Sequence, residues 1–264
     1  DFGVQNTGGN PAGDGDAVGD WLDQSGNGET MTQDFGDAPI FRVTNGLSSV
    51  DFEGIAGNLR GDSVIAGNTA RTFFTVIQPS SFPTAFENVA WSLAPNSSNG
   101  EGYNLAVEDA DNNLGLGLRV FGNKVMNYKT DFSNSILTSN PFIFTGQSAT
   151  DANVTSTIFH LNGTRLTDTQ ASASADLNTN KLGVVIGGFS NGSDNIPEPK
   201  FDFNGDIFEL IVFSKELNAA QRIIMENYLG SKYNQAVAND RFAFDDRIAT
   251  NVYFNEVAGI GQAS

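Results

Sequence analysis

Apolar runs recur along most of the chain, each broken off by Gly, Asn, Asp or Ser. "RTFFTVIQP" (71–79), "VAWSL" (89–93), "YNLAVE" (103–108), "LGLGLRVF" (114–121), "KVMNYK" (124–129), "PFIFTGQ" (141–147), "VTSTIFHLNG" (154–163), "LGVVIG" (182–187) and "DIFELIVF" (206–213) are rich in β-branched and aromatic side chains, which pack well on a pleated surface. Their length and spacing predict an antiparallel β-sandwich. Asn162-Gly163 and Gly122-Asn123 sit between such runs, as hairpin turns that require positive φ. Trp91 alternates with Val89 and Leu93 on one strand face and is predicted to be buried.

One segment has a different period. In "LNAAQRIIMENYLGSKY" (217–233), Asn218 reads as an N-cap with Gln221 as its capping-box partner, and Ile224, Met225, Tyr228 and Leu229 follow at helical spacing, with Gly230 as a stop. This amphipathic helix must lay its apolar stripe on the sandwich. Beyond it the chain returns to Phe, Tyr and Val among polar residues, as a further strand pair or as the start of a following segment. Residues 235–264 are therefore read as an extension belonging to a longer parent, behind a domain over 1–234.

With 264 residues, 39 % of them hydrophobic and 21 of them Phe, the chain can fill a large core. Charge changes the picture more: 31 Asp and Glu face 14 Lys and Arg, a formal net of -17. That field repels nucleic-acid backbones and anionic lipid and attracts divalent cations, so neither nucleic acid nor direct membrane insertion is expected. No apolar run approaches the ~18 residues of a membrane span. With no cysteine, disulfides, thiolate metal sites and a cysteine nucleophile are excluded.

Four blocks carry a family resemblance: "AVGDWLDQSGNG" (17–28), "ARTFFTVIQP" (70–79), "FHLNG" (159–163) and "FNGDIFELIVFSKELNAAQRIIMENYLGSKY" (203–233). Together they resemble the laminin-G-like, concanavalin A-like jelly-roll domains of large bacterial surface and secreted proteins, of the kind found in Bacteroidetes. The resemblance implies an all-β fold: a two-sheet antiparallel jelly-roll sandwich with one C-terminal amphipathic helix. It also implies that Trp21 belongs to an early, inward-facing strand rather than to a sugar platform, and that the chain works outside the cell or at its surface.

Enzymes of this fold superfamily include glycoside hydrolases that hold two carboxylates on one strand face, because acid and nucleophile must flank one glycosidic bond. In "VEDADNN", Glu108 and Asp109 are adjacent and point to opposite faces, whereas Asp109 and Asp111 can share one. No Glu-x-Asp-x-Glu strand exists. Polyuronate lyases share the fold too, but "KYNQ" (232–235) echoes their motif only at a helix end, with no Gln-x-His strand beside it. His160 is the sole histidine and no Gly-x-Ser-x-Gly elbow is present, so a hydrogen-bonded structural role is expected for it and a histidine zinc site is excluded by count. "GLGLRVFG" (115–122) lacks a following helix and does not cradle phosphate.

Calcium is the plausible metal. Asp109, Asp111 and Asn113 alternate in one loop, and Asp202, Asn204 and Asp206 repeat the alternation, each set offering the oxygen ligands a hard cation accepts; the resemblance adds that such jelly-rolls often hold Ca2+. A glycan rim needs exposed aromatic faces and planar polar side chains. Phe82, Phe86 and Tyr103, with Asn96, Asn99 and Asn104, are the candidates.

The leading expectation is a noncatalytic recognition or adhesion module for a glycan or a cell-surface protein, calcium-dependent if either acidic set binds the ion. The alternatives are a carbohydrate-active hydrolase or lyase, and a structural spacer, fibre subunit or cargo of secretion or surface-assembly machinery.

Overall fold

Strand "RTFFTVIQP" has apolar side chains at consecutive positions, which only makes sense if both faces of its sheet are covered. The computed structural model, which describes residues 3–53, 57–62, 65–80, 88–93, 102–110, 113–121, 125–132, 140–167, 170–171, 176–179, 183–188 and 202–241, has that arrangement. In chain order the strands are β1 (Val4–Asn6), β2 (Val18–Leu22), β3 (Thr30–Phe35), β4 (Ile40–Thr44), β5 (Leu47–Asp51), β6 (Asn58–Gly61), β7 (Arg71–Pro79), β8 (Asn88–Leu93), β9 (Gly102–Ala110), β10 (Asn113–Phe121), β11 (Val125–Phe132), β12 (Phe142–Ser148), β13 (Ile158–Leu161), β14 (Thr164–Arg165), β15 (Gln170–Ala171), β16 (Val184–Ile186) and β17 (Gly205–Phe213). One sheet has the order β1-β2-β3-β6-β16-β8-β9-β10-β11-β15 and the other β14-β13-β12-β7-β17-β5-β4. The ladders among the described residues are antiparallel, and the fold is a two-sheet jelly-roll sandwich with one α-helix among the described residues.

Between the sheets, Phe52, Phe73, Trp91, Leu105, Phe142, Phe144, Phe159, Phe203 and Ile207 form a continuous core. Phe73 meets the Trp91 ring edge-on at 4.9 Å, and Phe144 stacks on Phe159 at 5.3 Å. Phe73 lies directly across from Gly146 on the neighbouring strand, and a Cβ on that glycine would run into its ring. Trp91 is fully buried, as expected. Trp21 lies on β2 and packs half-buried against this core.

The opposite face of the seven-stranded sheet carries Phe74, Val76, Ile143 and Phe208, and these are covered by Leu217, Leu229 and Tyr233. The covering helix is α1 (Ala219–Lys232). Its capping box forms as the sequence predicts: Gln221 N–H donates to Asn218 Oδ1 at 3.0 Å, and Asn218 N–H donates to Gln221 Oε1 at 3.1 Å. The C-terminal end is pinned by Lys232 Nζ and the Tyr233 hydroxyl, both donating to Glu209 Oε2 at 2.8 and 2.7 Å.

Three local expectations change. Gly230 does not stop the helix, which runs on to Lys232; it is buried because Gln235 and Val237 fold back over it, leaving no room for a Cβ. The run 154–163 is not one strand. Val154–Ser156 form a 3-10 turn, because Asn153 Oδ1 accepts from the Thr155 N–H and hydroxyl, both at 3.1 Å, and β13 starts only at Ile158. The buried stripe of α1 runs through Arg222, Glu226 and Leu229, with Met225 and Tyr228 partly covered. Ile224 is half-exposed and off that stripe.

The Asn162-Gly163 turn has the positive φ values of 46° and 74° expected of it. Asn162 Oδ1 also accepts the Ile143 N–H at 2.8 Å, and the Asn162 carbonyl accepts the Ala238 N–H at 2.8 Å. Residues 235–238 thus run from the helix end to this hairpin. The other turn, Gly122-Asn123, lies outside the described residues.

The helix cap and the aromatic core should be separable in an unfolding experiment. Asn218→Ala removes one capping acceptor and lowers stability by about 1 kcal/mol. Phe73→Ala opens a cavity beside Trp91 and lowers it by about 3–5 kcal/mol. Urea melts with unchanged m-values check both.

Candidate functional site

Where α1 begins, its cover over the outer face of the seven-stranded sheet ends. Register aligns a row of side chains across that face: Ile211 opposite Phe74, Phe74 opposite Thr145, Thr145 opposite His160, and His160 opposite Arg165. Directly opposed residues of an antiparallel pair project to the same face. The row is thus apolar at the sheet centre, beneath the helix, and polar toward the β14 edge.

Between this polar end and the start of α1 lies a pocket of about 790 Å³, lined in part by Gln147, His160, Arg165, Glu216, Asn218, Arg222 and Asn239. Its floor is held firmly. Gln147 Nε2 donates to the Leu217 carbonyl at 2.7 Å, the Thr72 hydroxyl accepts the Leu217 N–H at 3.0 Å and donates to the Lys215 carbonyl at 2.9 Å, and Ser148 and Thr157 share a 2.9 Å hydroxyl bond. Arg222 and Glu226, one turn apart on α1, form a buried ion pair, while the buried Thr145 hydroxyl and Glu226 Oε1 have no hydrogen-bond partner. Burial pushes the Glu226 carboxyl above its ordinary value.

His160 is 5 % exposed, and its buried Nδ1 has no hydrogen-bond partner. The hydrogen-bonded structural role expected for this histidine is therefore corrected: its ring borders the pocket, and its buried Nδ1 has no hydrogen-bond partner. Desolvation, then the Arg222 and Arg165 guanidinium groups, push its pKa down to about 4. The ring is accordingly neutral at physiological pH. Sequence reasoning missed Arg222, Arg165 and Gln147 altogether. The one local signal was Arg222 and Glu226 four residues apart on the face of α1 that must be buried.

The residues nominated from sequence are scattered. Asp109 is the last residue but one of β9 and Asn113 begins β10, with Asp109 paired to Leu114 and Asn113 to Ala110; Asp111 lies outside the described residues. Asp206 is on β17, where its Oδ1 accepts the Ser49 hydroxyl at 2.6 Å and it pairs across to Asp51. Asp202 instead sits against Gly188 at the end of β16, in the other sheet, with one buried oxygen unpartnered. The Asn204 N–H donates to Asn88 Oδ1 at 2.9 Å and its carbonyl accepts the Ser80 N–H at 2.9 Å. Among the described residues no group of three or more His, Asp and Glu is arranged to hold a metal ion. Of the glycan-rim residues, Phe82, Phe86, Asn96 and Asn99 lie outside the described residues. Tyr103 is on β9, and Asn104 is buried there, hydrogen-bonded to Ser92.

No protein-family model and no curated protein matches the chain. Solved structures do match in fold. An α-L-arabinofuranosidase of glycoside hydrolase family 54 aligns with a TM-score of 0.55 at 12 % identity over 82 % of this chain and 51 % of that one. The binding domain of botulinum neurotoxin serotype D/C aligns with a TM-score of 0.53 at 12 % identity, over 79 % and 49 %, and that of serotype D with 0.51 at 18 %, over 80 % and 48 %. The chain spans about half the length of these three. At such identities the likeness is one of fold. Among the described residues no helix is long and apolar enough to cross a membrane.

The buried acids set a pH dependence. Desolvation raises Asp202 to about 7 from 3.8, and desolvation followed by the neighbouring Asp206 raises Asp51 to about 6. The folded state holds these protons more tightly than the unfolded chain does. The stability they contribute is thus full below pH 3.8 and lost as pH rises toward 6 to 7. His160 has the opposite sign: its depressed value costs stability as pH falls from 6.5 toward 4. Asp202→Asn should raise the melting temperature near pH 8 and change it little near pH 4, and thermal melts at the two pH values check this. The single histidine resonance should titrate near pH 4 rather than 6.5.

Proposed function

We propose that this chain is a noncatalytic recognition module, working outside the cell or at its surface, that takes a glycan into the pocket between the β13–β14 hairpin and the start of α1. The observation that carries this reading is the pocket wall. It combines a cleft of about 790 Å³ with planar hydrogen-bonding side chains at Gln147, His160, Asn218 and Asn239, the combination that fixes a polar, ring-shaped ligand by several directional bonds at once. Glu216 is the one carboxylate among the lining residues, whereas glycoside hydrolysis by the usual route needs two across one bond. The neurotoxin structures are binding domains by name and the other fold relative is a glycosidase; one architecture serves both uses, so it is the site that favours binding.

Calcium enters the proposal between β9 and β10, where Asp109 stands next to the end of β9, Asn113 begins β10, and Asp111 lies between them in sequence. The ion would bind there and take no part at the pocket. Excess EDTA should then lower the melting temperature by several degrees, since an ion bound only to the native state stabilises it; an unchanged melt removes the metal.

The test of function is a glycan array run with the full chain, followed by incubation with each hit. Binding without release of reducing ends or unsaturated sugars is expected. Turnover of a bound glycan overturns the noncatalytic reading, and a blank array leaves a structural role in an assembly as the better account.

A further inference from the structure

Around the pocket the acidic excess of the chain gives way to a balance of charges. A protein with 31 acidic and 14 basic residues has its one histidine facing two arginines. Arg165 lies directly across the ladder from His160, and Arg222 lines the same cavity from α1. Arg222 is already paired with the buried Glu226 and Glu216 lines the rim, whereas Arg165, exposed at the β14 edge, has no ion-pair partner among the described residues.

The start of α1 adds to this. Its capping box satisfies the Asn218 and Gln221 N–H groups, and the Arg222 N–H begins the helical ladder by donating to the Asn218 carbonyl. The first-turn N–H groups of Ala219 and Ala220 are left to solvent or ligand, and Ala219 lines the pocket. A 14-residue helix presents partial positive charge at that end, which favours an anion. A helix start alone would decide nothing. The second observation is His160: its ring is 5 % exposed, borders the cavity, and has a buried Nδ1 with no partner in the protein. A buried polar atom without a partner costs stability, and a bound ligand group would complete it. Because desolvation and the two arginines keep the ring neutral, it serves as a hydrogen-bonding group and not as a third cation.

We infer that the pocket selects an anionic sugar unit, with the carboxylate of a uronic acid or a sulfate ester held by Arg165 and the start of α1, and the sugar's hydroxyl groups completing His160. This rests on the reading that the pocket takes a glycan, and adds the charge of the sugar. Arg165 can engage either group through two parallel N–H bonds, geometry that a neutral hydroxyl cannot match.

The experiment is calorimetric titration of the full chain with a galacturonate oligosaccharide, a sulfated galactose oligosaccharide and the neutral galactose oligosaccharide, followed in parallel by the NMR resonance of the single histidine. At least one anionic ligand should bind about tenfold or more tightly than the neutral one and shift the His160 resonance. Arg165→Gln, at an exposed position that leaves the fold intact, should reduce that affinity about tenfold and leave the thermal melt unchanged. Comparing the two anionic ligands separates carboxylate from sulfate. Equal or tighter binding of the neutral oligosaccharide, with the same histidine shift, overturns the charge selectivity and leaves the glycan reading standing. Anionic binding that neither moves the histidine resonance nor responds to Arg165→Gln overturns the site. Binding of no saccharide from this set or from a broad glycan array removes the functional reading itself, and this inference with it.

Discussion

The structure depends on covering both faces of the seven-stranded sheet. Its central strand β7 sends Phe73 and Ile77 inward to Trp91 and Phe144, and sends Phe74 and Val76 outward to α1. Burial of each such side chain stabilises the fold by roughly 1.5–3 kcal/mol. Phe74, Val76, Ile143 and Phe208 together make the helix a necessary layer, since without it a contiguous apolar patch would face water. The details of α1 follow from that duty. A capping box fixes where it starts, the Glu209 contacts of Lys232 and Tyr233 fix where it ends, and buried Gly230 lets residues 235–237 return across it.

The pocket is the margin of the same arrangement. A 14-residue helix is about 21 Å long and crosses a sheet of seven strands, which are spaced about 4.8 Å apart. The start of α1 lies beside β13 and β14, and there the row Ile211, Phe74, Thr145, His160, Arg165 changes from apolar to polar. The Arg222–Glu226 pair sits at this boundary. A buried ion pair contributes little stability compared with a well-packed apolar pair, so packing alone does not call for charged residues on the sheet-facing stripe of α1.

Legibility in the sequence followed the range of the interactions. The long aromatic runs of β7, β12 and β17 were readable because period and composition are local properties. The same holds for the cap at Asn218 and for the turn at Asn162-Gly163, whose chemistry needs only neighbouring residues. The strands between Val4 and Gly61 were not read as runs, because they span three to six residues between Gly, Asn and Asp and draw their order from pairing with distant partners such as β16 and β17. The pocket was illegible for the same reason. Gln147, His160, Arg165 and Arg222 come from four elements, and only register brings them together. The acidic triplet at 202, 204 and 206 misled in the reverse sense: alternation in sequence suggested a shared face, but Asp202 ends up beside the Gly188 end of one sheet and Asp206 beside Asp51 in the other.

A net charge of -17 would seem to bar an anionic ligand, and distance resolves this. At physiological ionic strength the Debye length is about 8 Å, so carboxylates scattered over the rest of the surface contribute little inside the cavity. At contact, hydrogen bonds from Arg165 and the first turn of α1 are far less weakened by salt than charges acting at a distance. The two scales act on different steps. The acidic surface slows the approach of any polyanion and discourages nonspecific attachment to nucleic acid or anionic lipid, whereas close-range hydrogen bonds decide what is retained once it arrives. An acidic surface around a pocket edged by an unpaired arginine and a helix start thus favours short, fitted anionic segments over long polyanions that bind by charge alone.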